Sequence, residues 1–172
     1  MAYVDTNVIV AKYFPDDEFH GEASSFIELS RKRKVISPVS VVELAAVTSR
    51  LEAELQAPKE LLEEPPRRRI HVLVEFFIRD CNLTLASVPA QAKIRVAGAI
   101  LRVPVEYQSS NRLAHALKLK ALDLIHLAYA DNLRAWGYDL DTFVTCDEDV
   151  LKRSENIQQI LGFRVKGPSK DV

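Results

Sequence analysis

Ala2-Tyr3-Val4-Asp5-Thr6-Asn7-Val8-Ile9-Val10 opens the chain and decides how the rest is read. A short apolar run stops at a carboxylate, and a polar pair leads into a second apolar run. A buried strand ending at Asp5 and turning into a short helix fits this order, with Thr6 or Asn7 as the helix cap. Similar strand candidates recur at Val35-Ile36-Ser37, Leu83–Val88, Thr142–Cys146 and Phe163-Arg164-Val165.

Helical stretches separate these strands. Glu22–Lys34 carries Ala23, Phe26, Ile27 and Leu29 on one side. It ends in Arg31-Lys32-Arg33-Lys34, a charge run suited to the negative end of a helix dipole. Ser37 is placed to cap a helix that begins at Pro38 and carries Val41, Val42, Glu43, Leu44, Ala45 and Val47. From Leu51 to Asp80 the pattern stays helical but breaks at Pro65-Pro66. This predicts a helical excursion at about 51–80 that protrudes from the core. Pro89 reads as the start of a helix through Ile94, Val96, Ala97 and Ile100, and another runs from about Glu106 to Lys118. The clearest helix spans Leu122–Trp136, with a stripe of Leu124, Ile125, Leu127, Ala128 and Leu133 and an end at Gly137. Short strands separated by helices call for an α/β fold, in which a central parallel sheet of about four to five short strands is covered on both faces. The expected division is one domain over 1–165 and a loose tail at 166–172.

Composition excludes several classes. The chain has 172 residues, 48% hydrophobic and 27% charged, which suits one ordinary globular domain. Lys and Arg total 23 against 24 Asp and Glu, so no global basic excess draws it to nucleic acid and any such contact is local. Cys81 and Cys146 form neither a disulfide framework nor a C-x-x-C zinc pattern. With 5 Gly and no G-x-G-x-x-G or P-loop, a Rossmann dinucleotide enzyme and a Walker-type NTPase are excluded. Absence of a signal-peptide pattern and of an apolar run near the ~20 residues needed to span a bilayer points to a cytoplasmic protein.

Four acids stand out by context. Asp5 and Asp147 end strands, and in a parallel sheet all carboxyl ends lie on one edge, where ligands bind. Glu43 and Asp123 sit among apolar residues near the starts of helices, where a carboxylate is costly to bury unless paired or bound to a metal. Two like charges ~4 Å apart repel by about 4 kcal/mol at an effective dielectric near 20. If the four converge, a hard divalent cation with oxygen ligands, Mg²⁺ or Mn²⁺, is the natural solution. Such a site suits attack of water on a phosphodiester. Three of the four also have a structural alternative, Asp5 and Asp147 (or Asp149) as helix caps and Asp123 as a first-turn acid favoured by the helix dipole, whereas Glu43 in an apolar helix face is harder to excuse.

These residues resemble the motifs of PIN-domain ribonucleases. Val4-Asp5-Thr6-Asn7 resembles the opening motif, Ser37-Pro38-Val39-Ser40-Val41-Val42-Glu43-Leu44 the second, Ala121-Leu122-Asp123-Leu124-Ile125-His126-Leu127-Ala128-Tyr129-Ala130 the third, and Val144-Thr145-Cys146-Asp147-Glu148-Asp149 the fourth. The matches come in the family's order from Tyr3 to about Leu151, whereas Leu51–Lys120 matches only in general helical character. The resemblance implies a three-layer α/β/α domain and a Mg²⁺- or Mn²⁺-dependent endoribonuclease. Asp5, Glu43, Asp123 and Asp147 would be its catalytic acids, Asp149 an auxiliary, and Thr6, Asn7 and Thr145 the hydrogen-bonding groups that hold them. The small size resembles VapC-type toxins, which implies a homodimer, a cognate antitoxin and an RNA substrate. An RNA-processing nuclease outside such a pair, and a catalytically silent RNA- or protein-interaction domain, are the alternatives.

Weaker signals complete the reading. His126 shares a helix face with Asp123 and is read as core packing. Trp136 is read as core and Cys146 as a small buried filler. Arg67-Arg68-Arg69, Lys118 and Lys120 are candidates to meet RNA phosphates. A phosphoryl-accepting Mg²⁺ receiver or phosphatase is disfavoured, because Asp5-Thr6-Asn7 lacks a second Asp after the first strand.

Overall fold

The computed structural model describes residues 1–51 and 54–169. Positions 170–172 of the expected tail and 52–53 of the expected excursion therefore lie outside the described residues. Five short strands form one sheet: β1 (Ala2–Val4), β2 (Lys34–Ile36), β3 (Leu83–Leu85), β6 (Thr142–Val144) and β7 (Arg164–Lys166). Their order is β3-β2-β1-β6-β7, and every pair is parallel. This is the parallel α/β/α architecture expected.

Successive side chains of a strand point to opposite faces, and here both faces are buried. Ala2 and Val4 enter a core with Ile36, Leu83 and Val144, beneath α1 (Thr6–Tyr13), α2 (His20–Leu29), α3 (Pro38–Leu51) and α5 (Pro66–Asp80). Tyr3, Val35, Phe143 and Val165 enter the other, beneath α6 (Val105–Leu117), α7 (Ala121–Ala135) and α9 (Ser154–Leu161). Tyr3 and Phe143 stack at 5.2 Å between ring centroids, tying the central pair together. Two short helices, α4 (Lys59–Leu62) and α8 (Glu148–Leu151), complete the set.

Several local expectations are corrected. Residues 91–104 form a β-hairpin, β4 (Gln91–Val96) and β5 (Ala99–Pro104), not a helix. Its two-residue turn has Ala97 at φ 49° and Gly98 at φ 83°, the pair of left-handed residues that matches strand twist. Alternation at Ala92, Ile94 and Val96 was the readable signal. The basic run Arg31–Lys34 follows α2 rather than ending it. The helix stops at Leu29 because Lys34 is drawn into β2, where its ammonium lies over the Phe26 ring. The α5 part of the expected excursion does not protrude: it buries Leu73, Val74 and Phe77 against the first core, since its apolar face needs a partner. Trp136 is 54% exposed, because α7 ends one residue before it and the core face ends at Leu133. No described helix is long and apolar enough to cross a membrane.

The placement of α5 is checked by chemical denaturation. Leu73→Ala should cost roughly 2–5 kcal/mol as a fully buried truncation, whereas Ile100→Ala, on the exposed hairpin, should stay within about 0.5 kcal/mol. Equal effects would remove α5 from the core.

Candidate active site

The strand order reverses at one place. β1, β2 and β3 progress in one direction, then the chain returns to add β6 and β7 on the other side of β1. Past the carboxyl ends of β1 and β6 this leaves the crevice where open parallel sheets bind ligands. Asp5 directly follows β1, and its amide donates to Val144 O of β6 at 2.9 Å.

The Asp5 carboxylate is 6% exposed and engaged on both oxygens. Oδ1 accepts from the Thr6 amide at 2.7 Å, so Asp5, not Thr6 or Asn7, is the N-cap of α1. Oδ2 accepts from Thr145 Oγ1 at 2.7 Å and from Asn7 Nδ2 at 3.1 Å. Asn7 Oδ1 in turn accepts from the Cys146 amide at 2.9 Å, and Thr145 Oγ1 from the Asp147 amide at 3.0 Å. Asn7 and Thr145 thus clamp the end of β1 to the end of β6.

Glu43 reaches the same crevice from α3, which Ser37 caps by accepting from the Ser40 amide at 3.3 Å. Glu43 Oε2 accepts from Thr6 Oγ1 at 2.5 Å and contacts His126 Nε2 at 2.5 Å. His126, on α7, is 1% exposed, and its Nδ1 lies 2.8 Å from the Tyr3 hydroxyl. It is buried as expected, but it is more than packing: Asp5, Glu43 and His126 offer ligand atoms within 4.8 Å of one another. The clue in the sequence was its spacing three residues after Asp123, one face of the same helix.

Asp123 lines this cleft together with Asp5, Glu43 and His126, and its Oδ2 is buried without a partner among the described residues. Asp17, from the loop after α1, also lines it, and no motif had singled it out. Asp147 stands in an adjoining cleft that shares Asn7, Asp17 and Cys146. Its Oδ1 caps α8 by accepting from the Asp149 and Val150 amides at 2.7 and 3.1 Å. Its Oδ2 lies 3.7 Å from Lys120 Nζ, and Asp149 Oδ2 lies 3.9 Å from the same ammonium. The capping roles considered for Asp5 and Asp147 are thus real. Cys146 is half-buried: it packs against the first core and also lines both clefts.

The charges have physical consequences. Burial pushes the Asp5 carboxyl up, against the lowering influence of His126 and Thr145. Asp123 is pushed up to about 6 by burial and then by the charges of Asp147 and Asp5. For Glu43, burial raises the pKa, but the His126 hydrogen bond and charge and the Thr6 hydroxyl outweigh it and hold it low. Burial opposes the charge on His126, yet Glu43, Asp5 and Asp123 together raise its pKa. The Cys146 thiol is pushed up to about 12 by burial and then by Asp17, Asp5, Glu22 and Glu18. The crevice is a pocket of carboxylates with one imidazole on its floor, whose protonated form the neighbouring acids favour. Crowded carboxylate oxygens, one of them orphaned, are the donor set a hard divalent cation takes.

A PIN domain family model matches residues 2–156. The chain belongs to the PIN domain family. No curated protein matches it significantly. PIN domains are generally nucleases, which gives this PIN domain's acidic crevice a chemistry in keeping with its geometry.

The raised Asp123 pKa carries a sign that can be measured. Its folded value, about 6, lies above the ordinary value for Asp, so the folded protein prefers the protonated acid. Stability is therefore lost as pH rises from about 4 to about 6, and the loss is complete above that range. Asp123→Asn does not titrate. In EDTA it should match the wild type near pH 4 and exceed it by about 1 kcal/mol at pH 8, the full shift being discounted for partial exposure. Urea denaturation at both pH values checks this, and a gap that narrows with pH would contradict it.

Proposed function

We propose that this protein is a metal-dependent endoribonuclease that hydrolyses RNA phosphodiester bonds in the acidic crevice. Asp5, Glu43, Asp123 and Asp147 are the catalytic acids and hold Mg²⁺ or Mn²⁺, with Asp149 as an auxiliary. The observation that carries this reading is the meeting of Asp5, Glu43 and Asp123 in one cleft, with Asp123 Oδ2 buried and unpartnered. Carboxylates so crowded repel one another in the metal-free protein, and a divalent cation removes that repulsion. A cation held there polarises the phosphate oxygens and lowers the pKa of an attacking water.

The chain's own residues supply position and charge. Thr6, Asn7 and Thr145 fix the Glu43 and Asp5 carboxylates through the bonds described above. Tyr3 pins the ring of His126, whose Nε2 meets the same Glu43 oxygen, Oε2, as the Thr6 hydroxyl. Lys120 stands 71% exposed beside Asp147, where its ammonium meets a phosphate entering the crevice.

The finer reading is the toxin of a VapBC-type pair, a cytoplasmic homodimer silenced by a cognate antitoxin. It rests on the small size of the chain, which resembles that of VapC-type toxins. It is also supported by Val42 and Leu122, 70% and 40% exposed, which neighbour Glu43 and Asp123 in the chain and offer apolar footing to a partner. An antitoxin Arg or Lys entering the pocket would take the cation's place by charge neutralisation.

The test is cleavage of total cellular RNA by the wild type and by Asp5→Asn, with Mn²⁺ or EDTA, followed by mapping of the ends. Asn keeps the cap of α1, so the variant should fold with wild-type stability while its rate falls at least about a hundredfold. EDTA should abolish cleavage. An Asp5→Asn variant that cleaves like the wild type, or a wild type inert with Mn²⁺, would overturn the reading.

A further inference from the structure

The chain's near-neutral total hides a strong polarity. Between Cys81 and Leu122 there are six Lys or Arg residues and a single acid, Glu106. The rest of the chain holds seventeen basic residues and twenty-three acids. One segment is therefore at net +5 on a molecule whose remainder is at −6. Glu106 is itself buried, so the surface of this segment is more cationic than the count suggests.

The hairpin β4–β5 displays that charge on one face. Its register pairs Lys93 with Arg102 and Arg95 with Ile100, so Lys93, Arg95 and Arg102 project from the same side of the ribbon. All three are exposed. No salt bridge is recorded for them among the described residues, in contrast to Lys12, Lys32, Lys120 and Lys152. The opposite side of the ribbon carries Ala92, Ile94, Leu101 and Val103. Ile94 and Val103 there line a groove shared with Tyr107 of α6 and with Ala121, Leu124 and Ile125 of α7. The ribbon thus packs on α6, where Gln108 Nε2 donates to Lys93 O at 3.4 Å, and faces across this groove the first turn of α7, the turn that also carries Asp123 and follows Lys120.

We propose that the basic face of this hairpin is a binding arm for the phosphate backbone of single-stranded RNA, delivering the strand to the acidic crevice beside it. The proposal rests on the ribonuclease reading for the identity of the ligand. Charge decides the occupant, since an arm of unpaired cations complements a polyanion. An anionic crevice repels RNA, so a nuclease built on one gains from a cationic surface that grips the strand outside it. Phosphate contacts of this kind position the strand without reading sequence.

The test measures binding separately from cleavage. A fluorescein-labelled single-stranded oligoribonucleotide is titrated with Asp5→Asn protein in Mg²⁺, where affinity is read by anisotropy at several salt concentrations. Adding Lys93→Gln, Arg95→Gln and Arg102→Gln should weaken binding at least about tenfold and reduce the salt slope by about 2, the amount expected for three lost contacts to a single strand. A control with Arg31→Gln, Arg33→Gln and Lys59→Gln removes the same charge elsewhere and should stay within about twofold. Circular dichroism checks that the exposed substitutions leave the fold intact. Unchanged affinity in the hairpin variant overturns the proposal, as does an equal loss in the control. A changed molecular mass by light scattering with unchanged RNA affinity also overturns it and marks the ribbon as a protein contact. If hairpin-dependent binding holds while the wild type cleaves nothing, the arm stands and the nuclease reading falls; cleavage with hairpin-independent binding gives the reverse.

Discussion

A carboxylate at the end of a fully buried strand has to be held by something, and the bonds that hold Asp5 organise this protein. Its two oxygens accept from Thr6, Asn7 and Thr145. Those donors belong to α1 and to the segment after β6, so satisfying one side chain also fastens the two strands on either side of the reversal in strand order. The cap of α1, the register of β1 against β6 and the floor of the crevice are one set of hydrogen bonds. Burying a carboxylate is tolerable only when its lone pairs are filled, and the sheet is joined where they are filled.

Around that centre the protein concentrates negative charge against its own stability. His126 offsets part of the cost: it sits between Tyr3 in the core and Glu43 at the crevice, and the surrounding acids raise its pKa against the effect of burial. Asp123 is left with an orphaned oxygen and a raised pKa. Native structures rarely leave a buried polar atom unpaired, and perturbed acids gather where chemistry is done. The crevice is not alone in this, since Glu106 Oε2 and Asn132 Nδ2 are also buried without a partner among the described residues. At the surface the pairing is conventional, as where Asp141 receives Lys32 at 2.8 Å and Arg164 at 3.2 Å.

Much of the candidate site was legible before any fold. Asp5 and Asp147 were marked by their places at strand ends, Glu43 and Asp123 by their apolar company. Asn7 and Thr145 adjoin two of them in the chain, and the structure bonds both to Asp5. Asp17 was not legible, because it sits in a turn whose polar composition needs no explanation and only the path of the loop after α1 brings it to the cleft. His126 was visible but misweighed: spacing shows that a residue faces a neighbour on its own helix, not that a glutamate from another helix waits 2.5 Å away.

Apolar strand runs punctuated by acids, and helix stripes of period 3.6, determined the parallel layered fold, because both signals are local and repeat along the chain. The hairpin at 91–104 was lost for a local reason too. Its alternation is short, and Pro89 made a helix start look natural, whereas two consecutive left-handed residues at its turn become apparent only from the backbone. Tertiary structure alone decided that α5 belongs to the core, that Trp136 stands outside it, and that the basic ribbon flanks the helix bearing Asp123. Each of these depends on which surface another element covers. Composition and periodicity say that a face is apolar or charged, but only the packed chain determines what that face meets.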